Sequence, residues 1–326
     1  MSNAALTVVQ AGIESTRFTA VAADRVILPK EGIFPNEERF KADITQARGT
    51  FNQYYESAET HVAANWQMDQ DIAYDTLHWW SQLAMEGNVS PTGVGPYTWA
   101  YDSEATADAL ETATFEFADS VTAFEMNGSA VTEWELSGSD GDGGPGICQA
   151  TYSLIGQKLT VASITGALTA PDLRAGYMPF KNSTLYLDDT AGGIGGTEVA
   201  GAVLSWSIKC NNNIVPIWPG NNSGEMSAYR RGDRHVEFVV ELLLDATTLT
   251  EFTGHFKAND MRFARLNVPG TGNDDFTFDI AGKWSTHEFT RSGPVRKLAL
   301  MTRSLYDPTL AYAWKSTVIN DESGLT

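Results

Sequence analysis

HVAANWQMDQDIAYDTLHWWSQLAM, residues 61–85, carries a strand pattern through an aspartate into a helix pattern. Val62, Ala64, Trp66 and Met68 alternate with Ala63, Asn65, Gln67 and Asp69, the two-residue period of a half-buried strand, here over 61–69. Asp71 has the short carboxylate that accepts from the free amides of a first helical turn. Behind it Ile72, Trp79 and Leu83 share one face, which predicts a helix over 72–86. The pattern returns in HVEFVVELLLDATTLTEFTGHFK, residues 235–257. Val236, Phe238, Val240 and Leu242 fall opposite the first four apolar residues at an offset of 235 − 61 = 174, and Asp245 falls opposite Asp71. The second strand spans 235–244, and Leu249, Phe252 and Phe256 predict a second helix over 246–257.

Further landmarks follow in the same order. TFEFA (114–118) resembles TFDIA (277–281) at an offset of 277 − 114 = 163; Glu125 faces Glu288, Ser129 faces Ser292, and TEWEL (132–136) takes the place of RKLAL (296–300). Ordered self-similarity of this kind predicts a tandem duplication. With 326 residues, two domains is also the prior from length. The expected organisation is an N-terminal arm over 1–40, a first domain over 41–165, a second over 166–310 and a C-terminal tail over 311–326. Residues 46–60 and 211–233 read as long polar loops, each before a strand that leads into a helix. Phe51, Tyr54 and Tyr55 in the first, and Ile214, Ile217 and Trp218 in the second, need cover from this chain or from another.

The net charge of −19, from 22 basic and 41 acidic residues, repels phosphates and argues against a nucleic-acid-binding role, while leaving open a passage that nucleic acid must not stick to. Hydrophobic residues make up 42%, enough for a sizeable core, and no apolar run approaches the roughly 18 residues of a membrane span. The N-terminus MSNAALTVVQAGIESTRF lacks the basic region of a secretory signal, which sets an expectation of assembly in a cytoplasm. Cys148 and Cys210 are too few for a disulfide framework and lack zinc spacing.

Motifs for chemistry are missing. GSDGDGGPG (138–146) offers Asp140 and Asp142 but no closing acid for calcium, and GGIGG (192–196) precedes a strand where a phosphate loop needs a helix. The five histidines, His61, His78, His235, His255 and His287, show no metal spacing, and no GxSxG, Walker loop or HExxH occurs. Four sequons, beginning at Asn88, Asn127, Asn182 and Asn221, and the triplet Arg231-Gly232-Asp233 carry no weight without a signal peptide. The expectation is no enzyme, no cofactor and no metal site.

An acidic chain of this length, β-rich, with one helix per repeat and a long loop before the strand that leads into each helix, resembles the major tail tube proteins of long, flexible-tailed bacteriophages, in their tandem-domain form. The likeness covers roughly residues 40–310. It implies a mainly β (α+β) fold: two β-sandwich domains, each with one packed helix, lending strands to a ring-wide barrel. The resemblance further implies homotrimeric, pseudo-hexameric rings that stack into a tube through the loops carrying Phe51, Tyr54, Tyr55, Ile214, Ile217 and Trp218. The tube conducts DNA and meets the tape measure, tail terminator and distal tail proteins, with no membrane contact; the chain is assembled in the host bacterial cytoplasm and ends in the virion tail. Asp69, Glu237 and Glu241, opposite the apolar strand faces, are the expected lumen acids. A competing class is a carbohydrate-binding or glycosidase β-sandwich, because nine tryptophans and many aspartates suit sugar stacking and acid–base work. Another phage structural subunit, from baseplate or capsid decoration, is a third.

Overall fold

A computed structural model describes residues 7–31, 34–46, 54–103, 110–139, 146–166, 168–171, 173, 176–220 and 223–325. The first half of the chain contributes β1 (Val8–Ile13), β2 (Arg25–Ile27), β3 (Asn36–Thr45), β4 (Tyr54–Asp71), helix α1 (Tyr74–Ala84), β5 (Tyr97–Asp102), β6 (Ala113–Ala118), β7 (Ala123–Ser139), β8 (Gln149–Gly156) and β9 (Leu159–Val161). The second contributes β10 (Thr184–Asp188), β11 (Val203–Asn211), β12 (Ile214–Ile217), β13 (Ala228–Arg231), β14 (Val236–Leu243), α2 (Ala246–Thr250), β15 (Arg262–Pro269), β16 (Asp275–Ser292), β17 (Val295–Ser304) and β18 (Trp314–Asn320). All described pairings are antiparallel; sixteen strands join one branched, open sheet, and β12 and β13 pair separately.

Two series of strands in this sheet have the same order. Reading neighbours by their hydrogen bonds, β3-β4-β8-β7-β6-β1 is followed by β11-β14-β17-β16-β15-β10. The bulges agree as well. β7 shifts register against β8 between Val131 and Glu133, and β16 shifts against β17 between Trp284 and Thr286. The series are joined through β7 and β11, where Glu133 to Ser139 pair with Asn211 to Ser205.

This topology corrects the offset read from the sequence. Trp66 pairs with Leu154 as Phe238 pairs with Thr302, so the matching residues differ by 238 − 66 = 172, two fewer than the offset that aligned His61 with His235. Asp71 does not cap α1. Ala73 is the N-cap, without a side-chain bond, and the Asp71 carboxylate instead meets Lys30 at 2.7 Å. Asp245 does cap α2, accepting from the Thr248 amide at 2.7 Å. In the same order, TFEFA belongs to β6, whose place in the second series is taken by β15, whereas TFDIA belongs to β16.

A two-residue slip leaves the faces unchanged, and the apolar faces are as the alternation requires: Trp66, Met68, Val236, Phe238, Val240 and Leu242 are all buried. Trp66 meets Phe115 and Phe117 of β6 with ring centroids 5.3 and 4.8 Å apart, although β4 and β6 share no ladder, so two sheet layers close over a common core. Each such side chain contributes about 1.5–3 kcal/mol by burial. Gly138 is small for a packing reason: a Cβ there would stand 2.7 Å from the indole of Trp206 on β11.

The two helices differ. Residues 77–84 of α1 are buried all round, because β5 and β18 pair with each other and both pack against this helix. The terminal segment, expected as a free tail, thus forms part of the core, and β1, inside the expected N-terminal arm, pairs with β6. α2 is short and continues as a π-helical turn, Glu251–Phe256, with Leu249 38% exposed.

Burying all sides of α1 encloses His78. Its Nε2 lies 3.1 Å from the Gly324 carbonyl and its Nδ1 3.1 Å from the Asn320 amide nitrogen. Burial, with Arg25 nearby, lowers its pKa from 6.5 to about 4. The folded protein therefore holds the neutral ring, and stability present above pH 6.5 is lost as pH falls toward 4, by up to about 3 kcal/mol at about 1.4 kcal/mol per unit. Asp75, Asp274 and Glu322, raised by burial, act in the opposite sense over part of that range. The comparison to make is therefore urea unfolding of wild type against His78→Gln from pH 7 to 4. Wild type should show the additional loss, and equal slopes would remove His78 as the acid-sensitive group.

Candidate functional site

Three surfaces stand out because they do nothing for the core. The first is the polar face of the sheet that joins the two series. One row of residues crosses six strands: Asp69, Thr151, Glu135, Lys209, Glu237 and Arg303, each paired in register with the next. Thr151 donates to Asp69 at 2.6 Å, and Arg303 donates to Glu237 at 2.9 Å. Two pleat repeats along β14, Lys297 meets Glu241 at 3.0 Å. The three expected acids thus share one face, and Glu237 and Glu241 are ion-paired on it. Strand alternation adds Glu133, Glu288 and Lys283 to this face, so its acids Asp69, Glu133, Glu135, Glu237, Glu241 and Glu288 stand against Lys209, Lys283, Lys297 and Arg303. It is a mixed surface with an acidic excess. Exposed pairs of this kind contribute at most about 1 kcal/mol each, so the face is under little constraint from stability.

The second surface is the hairpin of β3 and β4. Residues 46–60 were expected as a loop, and the charged run 36–39 as part of an arm; instead Asn36 to Thr45 pair with Asn65 to Tyr54 as one long ladder. Beyond Phe40 and His61 both of its faces are exposed, with Tyr54 67% and Tyr55 38% accessible. At about 3.3 Å per residue the described part reaches on the order of 20 Å past its base. Phe51 lies outside the described residues. Polar side chains on both faces hid this strand from a periodicity reading, which recognises a strand by its buried side.

The insertion between β11 and β14 behaves differently. It folds back on its own chain through β12 and β13. The Trp218 indole donates to the Val62 carbonyl at 3.2 Å and packs 4.4 Å from His61, which stacks on Phe40 at 4.1 Å. Ile214 and Trp218 pack on a cluster of Leu110, Ala130, Met226 and Tyr229, and Ile217 is half-buried. The insertion therefore props the base of the hairpin.

The third surface is the pair of strand edges at the ends of the sheet. Among the described residues β3 pairs with β4 alone, and β16 beyond Gly282 pairs with β17 alone. Unpaired edges with free N–H and C=O groups are templates for another strand. No sequence signal marks them, because an edge is defined by what is missing beside it.

Reactive chemistry is poorly provided for. Burial pushes the Cys148 and Cys210 thiols up to about 12, which keeps them protonated. Among the described residues no group of three or more His, Cys, Asp or Glu is arranged for a metal ion. Eight of the nine tryptophans, at positions 66, 79, 80, 99, 134, 206, 284 and 314, are no more than 4% exposed, and Trp218 is occupied at the hairpin base. The tryptophans that suited sugar stacking are thus engaged in the core or, for Trp218, at the hairpin base. No helix is long and apolar enough to cross a membrane among the described residues.

The molecule thus presents an open β architecture with a projecting hairpin and, among the described residues, unpaired strand edges. A search of curated proteins found no match to the chain. The sequence profile of one family, described as phage tail tube protein, matches residues 5–297, and this chain belongs to the phage tail tube protein family.

Proposed function

We propose that the chain polymerises as trimeric, pseudo-hexameric rings that stack into the tube of a long, flexible tail, and that DNA leaves through the lumen. The observation that carries this reading is the repeated strand order β3-β4-β8-β7-β6-β1 and β11-β14-β17-β16-β15-β10. Two copies of one unit in each chain make three chains equivalent to six units, the tandem domains expected from residues 41–165 and 166–310. Head-to-tail contacts that close on themselves produce a ring and leave two faces for stacking, and continuing the sheet from chain to chain makes a ring-wide barrel.

The polar face of the joined sheet is the proposed lumen wall. Its acidic excess, including Asp69, Glu237 and Glu241, opposes adhesion of phosphates, while its paired cations keep the wall from repelling itself. The β3–β4 hairpin, with Tyr54 and Tyr55, reaches the adjacent ring. Ile214, Ile217 and Trp218 serve it by holding the base. Tape measure, terminator and distal tail proteins would meet the two ends of the tube, and assembly would take place in the host cytoplasm.

Negative-stain microscopy of the purified protein tests the reading. Stacked rings with three-fold mass, counted by native mass spectrometry of released rings, are expected. A dispersed monomer at high concentration overturns it, and a six-chain ring overturns the trimeric part.

A further inference from the structure

The contact between β7 and β11 inside the chain specifies a second contact, between chains. β7 has β8 on one side of its C-terminal half and β11 on the other, with Glu133 opposite Asn211 and Glu135 opposite Lys209. β16 occupies the place of β7 in the second series, bulge for bulge, with Thr286 corresponding to Glu133 and Glu288 to Glu135. Among the described residues no strand pairs with its side equivalent to the β11 side. At the other end of the sheet, β3 occupies the place of β11: Asn36 pairs with Asn65 as Lys209 pairs with Glu237, and the outer edge of β3 is open.

Resting on the ring reading above, we propose that residues 286–290 of one copy pair antiparallel with residues 34–38 of the next, with Thr286 opposite Glu38 and Glu288 opposite Asn36. The side chains at both positions match donor to acceptor. Inside the chain, Asn211 donates to the Glu133 carboxylate at 2.6 Å. At the seam the roles are exchanged, and the Thr286 hydroxyl faces the Glu38 carboxylate. Likewise the Glu135 and Lys209 pair is replaced by a carboxylate, Glu288, facing an amide, Asn36. Phe289, 46% exposed in the single chain, comes to lie against Pro35. Pro35 has no N–H and removes one ladder donor, which also limits the pairing of this edge with foreign strands.

The register can be read directly. The Asn212 amide donates to the Thr132 carbonyl at 2.8 Å, so the alternate positions, Glu133 with Asn211 and by correspondence Thr286 with Glu38, are non-hydrogen-bonded pairs, whose side chains approach most closely. A Glu38→Cys, Thr286→Cys variant, oxidised after assembly, should run on a non-reducing gel as covalent multimers with loss of the monomer band. The buried Cys148 and Cys210 stay silent, as the wild-type lane checks. A Glu38→Cys, Glu288→Cys variant, two residues out of register, should remain monomeric on the gel. Tubes that form without the first cross-link, or that cross-link equally in both variants, overturn the seam and leave the ring reading standing. Failure of the wild-type chain to assemble overturns both. Hydrogen exchange on wild-type tubes checks the same edge without substitutions: in this register the amides of His287 and Phe289 face the seam while those of 286, 288 and 290 face β17, so His287 and Phe289 should gain protection on assembly, and unchanged exchange there overturns the seam.

Discussion

Replacing residues 41–60 with a two-residue Asn-Gly turn should give a protein that folds normally and forms no tubes. The turn would join Phe40 to His61, which already pair across the ladder, and Asn-Gly is the preferred connection for such a hairpin. Residues 41–45 and 54–60 are exposed along their whole length and add nothing to the core, so thermal unfolding should shift by no more than about 1 kcal/mol equivalent. Assembly is another matter, because in the proposed tube the shortened chain loses the part that reaches the adjacent ring. Microscopy should show rings or single chains where the wild type shows tubes. Tubes of normal length from the shortened protein would mean that stacking lies elsewhere.

The largest effect on stability is expected from Arg262→Met. Arg262 is 5% exposed and holds Glu251 through two bonds, at 3.0 and 2.7 Å, and it also binds Asp189. Glu251, 8% exposed, accepts in addition from the Trp284 indole at 3.1 Å, so this pair fastens the π-helical turn to β15 and β16. Without the guanidinium a buried carboxylate keeps only the indole as partner, at a cost of about 3–5 kcal/mol. Adding Glu251→Gln removes the charge but leaves an acceptor for Trp284, and the double variant should recover to within about 2 kcal/mol of wild type. Urea unfolding of the short-hairpin protein measures both without interference from polymer. Equal losses in single and double variants would show that packing, and not the stranded charge, is responsible.

How much of this was legible depends on the range of the interaction. Trp66, Met68, Phe238 and Val240 announced their buried faces because side chains alternate along a strand whatever lies beside it. The offset between the two strand-to-helix passages came out two residues too long because Asp71 looks like a helix cap and Asp245 is one; α1 begins two residues later, at a position whose cap is Ala73. A slip of two preserves every face, so periodicity could not detect it. Trp218 looked exposed in a polar insertion, yet its indole found the Val62 carbonyl 156 residues away. Trp314, Ser316, Val318 and Asn320, taken as tail, alternate over a strand that closes on β5, more than two hundred residues earlier.

By itself the sequence determined a mainly β chain with two strand-to-helix passages, an acidic surface and no catalytic or metal motif, since composition, period and formal charge are properties of the residues alone. Only the tertiary structure decided that residues 54–60 are strand, that Glu237 and Glu241 share their face with Arg303 and Lys297, and which edges stay open. The physical reason is that a strand's neighbour is chosen by backbone hydrogen bonds. Those groups are the same in every residue except proline, so the choice leaves almost no trace in the side chains until the strands are set beside one another.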